Sequence, residues 1–376
     1  MHTVAFCSEL SYIAPEKYGL FAFCDLRCSS SGMSEKAYLY FQNQAVVPSA
    51  AKSRFRAQWV LGIIVAAVVF LHSGQLPRAS AQSRPTVKII QKIEIDARDI
   101  FDAEERLPLS GVVNFLHIRT KKRIIRQELL FKENQSFDQA LVDESERNLR
   151  ALNIFASVEI AAKPTAGDSV VVVVRTRDRW TTNLHTSYKL VGGVHFWGVS
   201  LIEDNLLGLG KTVDVGYNQS TDRILRQIRY RDPRLFGSRF AGNLKAQNNS
   251  DFDAFEFAFS RPFFAWNARW GLGFDYESTT GVYRQFQDGE LIAEPRLNEK
   301  SGQLVVNLYR GDRTKRHLMF GATIEKSEIG DNSREINLAG FGLGWMRRRF
   351  HKLRNIDVYE RTEDVPSGVL SEFVFG

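Results

Sequence analysis

The chain has 376 residues, enough for roughly two or three domains, with 50 Lys+Arg against 43 Asp+Glu, a net charge of +7 and a pI near 9.2. That mild excess is no nucleic-acid-binding run. A mean hydropathy of −0.24 argues against a polytopic helical membrane protein but not against a β-barrel, whose strands are apolar on one face only. Cys7, Cys24 and Cys28 lie together near the start, so the rest of the chain has no disulfide, thiolate metal site or cysteine nucleophile.

The first readable element is the apolar run Trp59–Gly74, preceded by Lys52, Arg54 and Arg56 and followed by Ala79-Ser80-Ala81. Small residues at Ala79 and Ala81 predict signal cleavage after Ala81. The alternative is an uncleaved anchor, for which the run falls short of the roughly 20 residues of a span. The stretch before the run is too long for an ordinary n-region. We therefore read 1–32 as a mis-called extension, Met33 as the start and 33–81 as the signal region.

Residues 86–178 read as β-α-α-β-β. Val87–Ile95 is strand-like, and Thr120–Phe131 reads as a helix. A second helix spans Ser136–Leu152, with Ser136 and Gln139 as a capping box. Its buried stripe is Phe137, Leu141, Ser145, Leu149 and Leu152. Asp143–Arg147 and Glu146–Arg150 are expected as ion pairs on its wet face. Two strands follow, Ile154–Ala162 and Asp168–Thr176.

From Trp180 onward the period is two. Ala268, Trp270, Leu272, Phe274 and Tyr276 alternate with Arg269, Gly271, Gly273, Asp275 and Glu277. A soluble sandwich also alternates. Strand length, a face rich in glycine and charge, and the signal favour an outer-membrane barrel. At about 18–20 residues per strand and connection, 179–376 holds roughly ten or eleven strands. Every second connection is compact, as in "NLLGLG", "DPRLFG" and "RPFFAW". The others are polar, ending in a long stretch, Ser278–Lys300.

These turns carry no readable catalysis. "NLLGLGKT" has Asn205 where a phosphate loop needs glycine, and a strand pattern follows it. The histidines are scattered without metal spacing, so no metal, cofactor or catalytic residue is expected. Asp232 and Arg234 read as a salt-bridged or capped turn, with Pro233 fixing φ and Gly237 permitting φ > 0.

"RIIRQELLFKENQSFD" followed by "ESERNLRALNIFASVEI" resembles a POTRA domain, and Asn205, Leu206, Gly208, Gly210, Asp232, Pro233 and Gly237 match the first barrel turns of the BamA/TamA-like superfamily. The resemblance covers 86–245. It implies an α+β POTRA domain (86–178) in the periplasm, followed by an antiparallel transmembrane β-barrel (179–376) in the outer membrane. Only about the first ten strands would be present, a truncated barrel. It also implies an insertion or translocation factor that needs no cofactor or ATP. Unfolded clients would add as strands to the POTRA edge at Ile154, Phe155, Val158 and Ile160, then template on the first barrel strand, Thr182–Leu190. Outer-membrane lipids and periplasmic chaperones or accessory lipoproteins complete the implied partners, with no nucleic acid. Arg234 and Phe236 are expected to brace the barrel base or face the POTRA domain. The rival readings are a two-partner secretion pore for a dedicated substrate, a membrane anchor for an absent lipase or phosphoesterase domain, and a passive surface protein.

Overall fold

The computed structural model describes residues 88–375, apart from 102–110, 112–113, 116, 166, 192, 221–222, 288–289, 312–313, 355 and 357–361. The N-terminal extension and the signal reading, Ala79 and Ala81 included, lie outside the described residues.

The first unit runs β1 (Ile89–Arg98), α1 (Lys122–Glu128), α2 (Gln139–Ala151), β2 (Phe155–Pro164) and β3 (Ser169–Asp178). Its sheet has the order β1-β3-β2, with β1 parallel and β2 antiparallel to β3. The unbroken valine run places β3 in the centre, where Val170, Val172, Val173 and Val174 are all buried. Ile90, Ile125, Leu129, Val142, Leu149 and Ile154 complete the core. Gly111, Asn114 and Phe115, ahead of α1, are helical.

The second helix differs from the expectation in two ways. Asp138, not Ser136, is its N-cap, accepting from the Ala140 N–H at 2.8 Å. Ser136 is held in an extended bridge to Ile89, and Phe137 N–H donates to the Lys88 carbonyl, so the chain becomes helical only beyond them. The Glu146–Arg150 pair forms at 2.5 Å but is buried, not wet, because later strands pack over it. Asp143 accepts from Gln139, while Arg147 pairs with Glu144 at 3.7 Å. Ser145 belongs in the stripe, since it donates to the Leu141 carbonyl and accepts from Leu130 N–H.

The remainder is an antiparallel meander. Its strands are β4 (Thr182–Val191), β5 (Val194–Glu203), β6 (Thr212–Gln219), β7 (Ile224–Asp232), β8 (Ala241–Asn249), β9 (Phe252–Arg261), β10 (Trp270–Val282), β13 (Arg296–Arg310), β14 (Lys315–Ile329), β15 (Asn332–Arg354) and β16 (Thr362–Phe375). These make one 11-stranded sheet in sequential order, with β4 and β16 at its edges. The expected barrel is therefore an open sheet here, since β4 and β16 do not pair with each other. The stretch Ser278–Lys300 is not the plain loop expected. β10 and β13 run well into it, and a small hairpin, β11 (Gln285–Gln287) with β12 (Glu290–Ala293), fills the gap.

Register separates the faces as the alternation predicts. Leu184, Leu201, Val215, Ile228, Ala246 and Phe255 face one another across six strands on the apolar side. On the other side Asp214, Arg229, Lys245, Glu256 and Glu277 form a charged row, with Lys245 and Glu256 at 2.5 Å. The apolar side chains are the exposed ones, including Leu184 at 67%. That inverts a soluble sandwich, which buries its apolar face. No described helix is long and apolar enough to cross a membrane.

Candidate functional site

Three residues, Arg179–Thr181, separate β3 from β4, so the first unit sits at one end of the sheet. Its helices meet the turns at that end.

The two motif turns share one backbone shape. Each is a single 3-10 turn, Leu206–Gly208 and Leu235–Gly237. The middle residue is left-handed in both: Leu207 at φ 54 and ψ 26, Phe236 at φ 53 and ψ 26. Glycine follows, Gly208 at φ 69 and Gly237 at φ 73. A left-handed non-glycine residue costs about 1–2 kcal/mol, so surrounding contacts must hold the shape.

For the first turn those contacts lie inside the POTRA-like unit. Asn205 is buried, donates from Nδ2 to Thr120 Oγ1 at 2.9 Å and accepts from Gly210 N–H at 2.8 Å. Thr120 in turn donates from its N–H (2.7 Å) and hydroxyl (3.0 Å) to Asp178 Oδ2, which also bonds His117 Nε2 at 2.8 Å. The Gly208 carbonyl accepts from Lys121 N–H at 3.0 Å. A Cβ on Gly208 would lie 2.4 Å from the Arg119 carbonyl oxygen, so backbone contact itself demands glycine. Gly210 is looser, its nearest neighbours being Ile124 and Ile154.

The second turn docks by charge. Glu128, at the end of α1, is 1% exposed and receives Arg234 and, at 3.5 Å, Arg239. Arg239 also donates to the Leu129 carbonyl at 3.3 Å. Burial, helped by the neighbouring Arg234, pushes the Arg239 guanidinium below its ordinary pKa, with Glu128 opposing. Asp232 accepts from Arg234 N–H at 2.9 Å and pairs with Lys211 at 3.0 Å, tying the second turn to the residue after the first. Hydrogen bonds to Tyr230 and Asp232 raise the Lys211 pKa. Pro233 contributes its carbonyl to Arg234 at 3.2 Å. Phe236 takes no part: its side chain is fully exposed, so it points away from α1 while Arg234 reaches it.

The second helix holds later connections. Glu144 accepts from Trp266 N–H at 2.6 Å, within the "RPFFAW" turn, and burial raises its pKa against that bond. Arg150 meets Asp364 at 2.6 Å, Lys352 meets Glu146 at 3.0 Å, and Arg147 stacks on Phe350 at 4.6 Å. Ion pairing outweighs burial in raising the Arg150 pKa.

The proposed client edge lies elsewhere. β2 is an edge strand, but Ile154, Phe155 and Ile160 point into the core, and Val158 packs partly against it. Any added strand would use the β2 main chain, not these side chains. Sequence reasoning missed Glu128, Thr120, Asp178 and Arg239. The one available signal was Glu128, an acid beside Leu129 and Leu130 where a helix end becomes apolar.

No family model matches the chain. It is 29% identical over 119 residues to the outer membrane protein assembly factor BamA of Neorickettsia risticii (strain Illinois), covering 31% of this chain and 16% of the relative. It is 30% identical over 130 residues to BamA of Neisseria meningitidis serogroup B (strain ATCC BAA-335 / MC58), covering 32% and 16%. The match thus spans less than a fifth of either relative. Among solved structures, BamA from Haemophilus ducreyi lacking POTRA domains 1–3 gives a TM-score of 0.35 at 13% identity, over 79% of this chain and 57% of that one. CdiB from Acinetobacter baumannii gives 0.39 at 10%, over 71% and 50%. Identity with the two assembly factors over about a third of the chain supports its resemblance to the BamA/TamA-like superfamily of outer-membrane proteins.

Proposed function

We propose that the chain is an outer-membrane insertion, assembly or translocation factor, with residues 86–178 as a periplasmic POTRA domain and 179–375 as membrane-spanning strands. The observation that carries this reading is the docking of the two turn motifs on α1 and the residues leading into it. That docking supports reading the first unit as a client-capture module at the base of a sheet with an apolar outer face. The module offers the β2 edge, and the sheet offers β4, joined through Arg179–Thr181. An unfolded outer-membrane protein adds a strand to β2 by main-chain hydrogen bonds and is passed to β4, whose edge templates the next strand. No covalent chemistry is required of the chain.

Two measurements test this. A photo-crosslinker at exposed Ser157 on β2, and one at Tyr188 on β4, should both capture unfolded outer-membrane proteins during their assembly. Depleting the protein should lower the insertion of several unrelated barrels. If all other barrels insert normally, the assembly reading fails. Loss of one exported substrate alone would instead identify a dedicated secretion pore.

A further inference from the structure

The β15–β16 hairpin has two unlike faces at the end near the POTRA-like unit. Its sequence Met346–Arg354 is MRRRFHKLR. Register assigns the side chains. Phe341, Leu343 and Trp345 lie on the apolar face, opposite Phe320, Leu318 and Arg316 of β14. Strand alternation then places Arg347, Arg349 and His351 on that same face, and Arg348, Phe350 and Lys352 on the polar one.

On the polar face Lys352 pairs with Glu146, Asp364 with Arg150, and Glu372 with His317 at 2.9 Å. On the apolar face the acid of β16 is Glu363, opposite Leu353. Arg347 and Arg349 face Val369 and Ser367 on β16, flanked by Val365 and Ser371. Neither guanidinium has an ion pair among the described residues. Both arginines are exposed and lie just beyond exposed Trp345, which packs against Phe373 at 5.8 Å. An aromatic ring at the edge of an apolar band, with cations immediately outside it, is the order in which a bilayer passes from acyl chain to headgroup.

We propose that Trp345, Arg347 and Arg349 form a docking surface for anionic phospholipid headgroups in the leaflet next to the POTRA-like unit. The headgroup phosphate supplies the counter-charge that Val369 and Ser367, opposite the two arginines, do not. Guanidinium forks suit phosphate oxygens, and Trp345 sets the depth of the site. Along the strand the two arginines are about 7 Å apart, close enough to engage neighbouring headgroups. The inference rests on the membrane-spanning reading above.

The test uses the full chain reconstituted in phosphatidylcholine vesicles with and without phosphatidylglycerol, with one lipid brominated at a time. Quenching of Trp345 is isolated by difference from Trp345→Phe. Trp197 and Trp270, exposed on the same apolar face, report insertion independently. The wild type should prefer brominated phosphatidylglycerol over phosphatidylcholine at Trp345, by about fivefold per arginine at low salt. R347Q/R349Q should bring the ratio near one, and R347K/R349K should keep most of it. A wild-type ratio near one, or an unchanged preference in R347Q/R349Q, overturns the proposal. Loss of quenching at Trp197 and Trp270 as well would instead overturn the membrane reading, and the proposal with it.

Discussion

The ion pair of Glu128 with Arg234 should be energetically coupled well beyond a surface pair. Glu128 is 1% exposed, Arg234 11% and Arg239 24%, so screening by water is weak. At the 3.5 Å separation of Glu128 and Arg239, an effective dielectric of about 20 gives a gross attraction near 5 kcal/mol. Desolvation offsets most of this, but removing one partner leaves the other buried without compensation. Glu128→Gln should therefore cost about 3 kcal/mol, because two guanidinium groups lose their carboxylate and Arg239 is already disfavoured by burial. Arg234→Gln should cost about 2 kcal/mol, since Arg239 remains to serve Glu128. The double variant should cost less than the sum by about 1.5–3 kcal/mol. Urea unfolding of the chain in detergent, followed by its helical signal, reads this cycle, because the described α-helices belong to the first unit. A coupling under about 0.5 kcal/mol, the value of an exposed pair, would refute the reasoning.

Gly208→Ala should destabilise by about 3 kcal/mol in the same assay, because its Cβ meets the Arg119 carbonyl at a positive φ. Gly210→Ala has the same sign of φ but no such clash, and should cost only about 1 kcal/mol; equal losses would show that the contact with Arg119 is immaterial. Phe236→Gly should change stability by between zero and about +1 kcal/mol, since relief of left-handed strain is partly offset by unfolded-state entropy. A loss above about 1 kcal/mol would mean that the exposed ring packs on something in the assembled protein. Glu144 has a folded-state pKa raised by burial. Its contribution is therefore full below the ordinary carboxyl pKa and falls as pH rises through the raised one. Glu144→Gln should flatten that part of the stability profile and stabilise at neutral pH; an unchanged profile would sink the assignment.

What sequence made legible was local. Alternation such as Leu272, Phe274 and Tyr276 is a property of neighbours, and the register reproduces it strand by strand. The valine run in β3 was likewise legible as a strand. The errors were long-range. Glu146–Arg150 looked like a wet helical pair because nothing in α2 reveals that Asp364 and Lys352 arrive from far along the chain. Ser136 looked like a cap until β1 claimed its backbone. The turn motifs were visible as motifs, but their partners on α1 were not. Glu128 is an ordinary helix residue until the fold brings Arg234 to it.

The paired turns show how a strained shape is put to use. Leu207 and Phe236 adopt the same left-handed conformation, and in both turns a carboxylate, Glu203 or Asp232, accepts from the backbone N–H two residues on, at Asn205 or Arg234. Backbone is the common element, and side chains do different work on it. In the first turn Asn205 and the Gly208 carbonyl enter the POTRA-like unit and replace water with fixed hydrogen bonds. In the second, Arg234 reaches Glu128 and Asp232 closes the turn beneath it. Both grips act on α1 and its approach, the first at Arg119–Lys121 and the second at Glu128. Among the described residues α2 meets β15 and β16 through side chains: Arg150 with Asp364, both largely buried, Glu146 with Lys352, which is 48% exposed, and Arg147 over Phe350. Buried backbone contacts tolerate little displacement, whereas long side chains can re-pair after one. The POTRA-like unit is thus held over β5–β8 by buried backbone contacts and over β15–β16 by side-chain pairs, of which Arg150–Asp364 is itself largely buried.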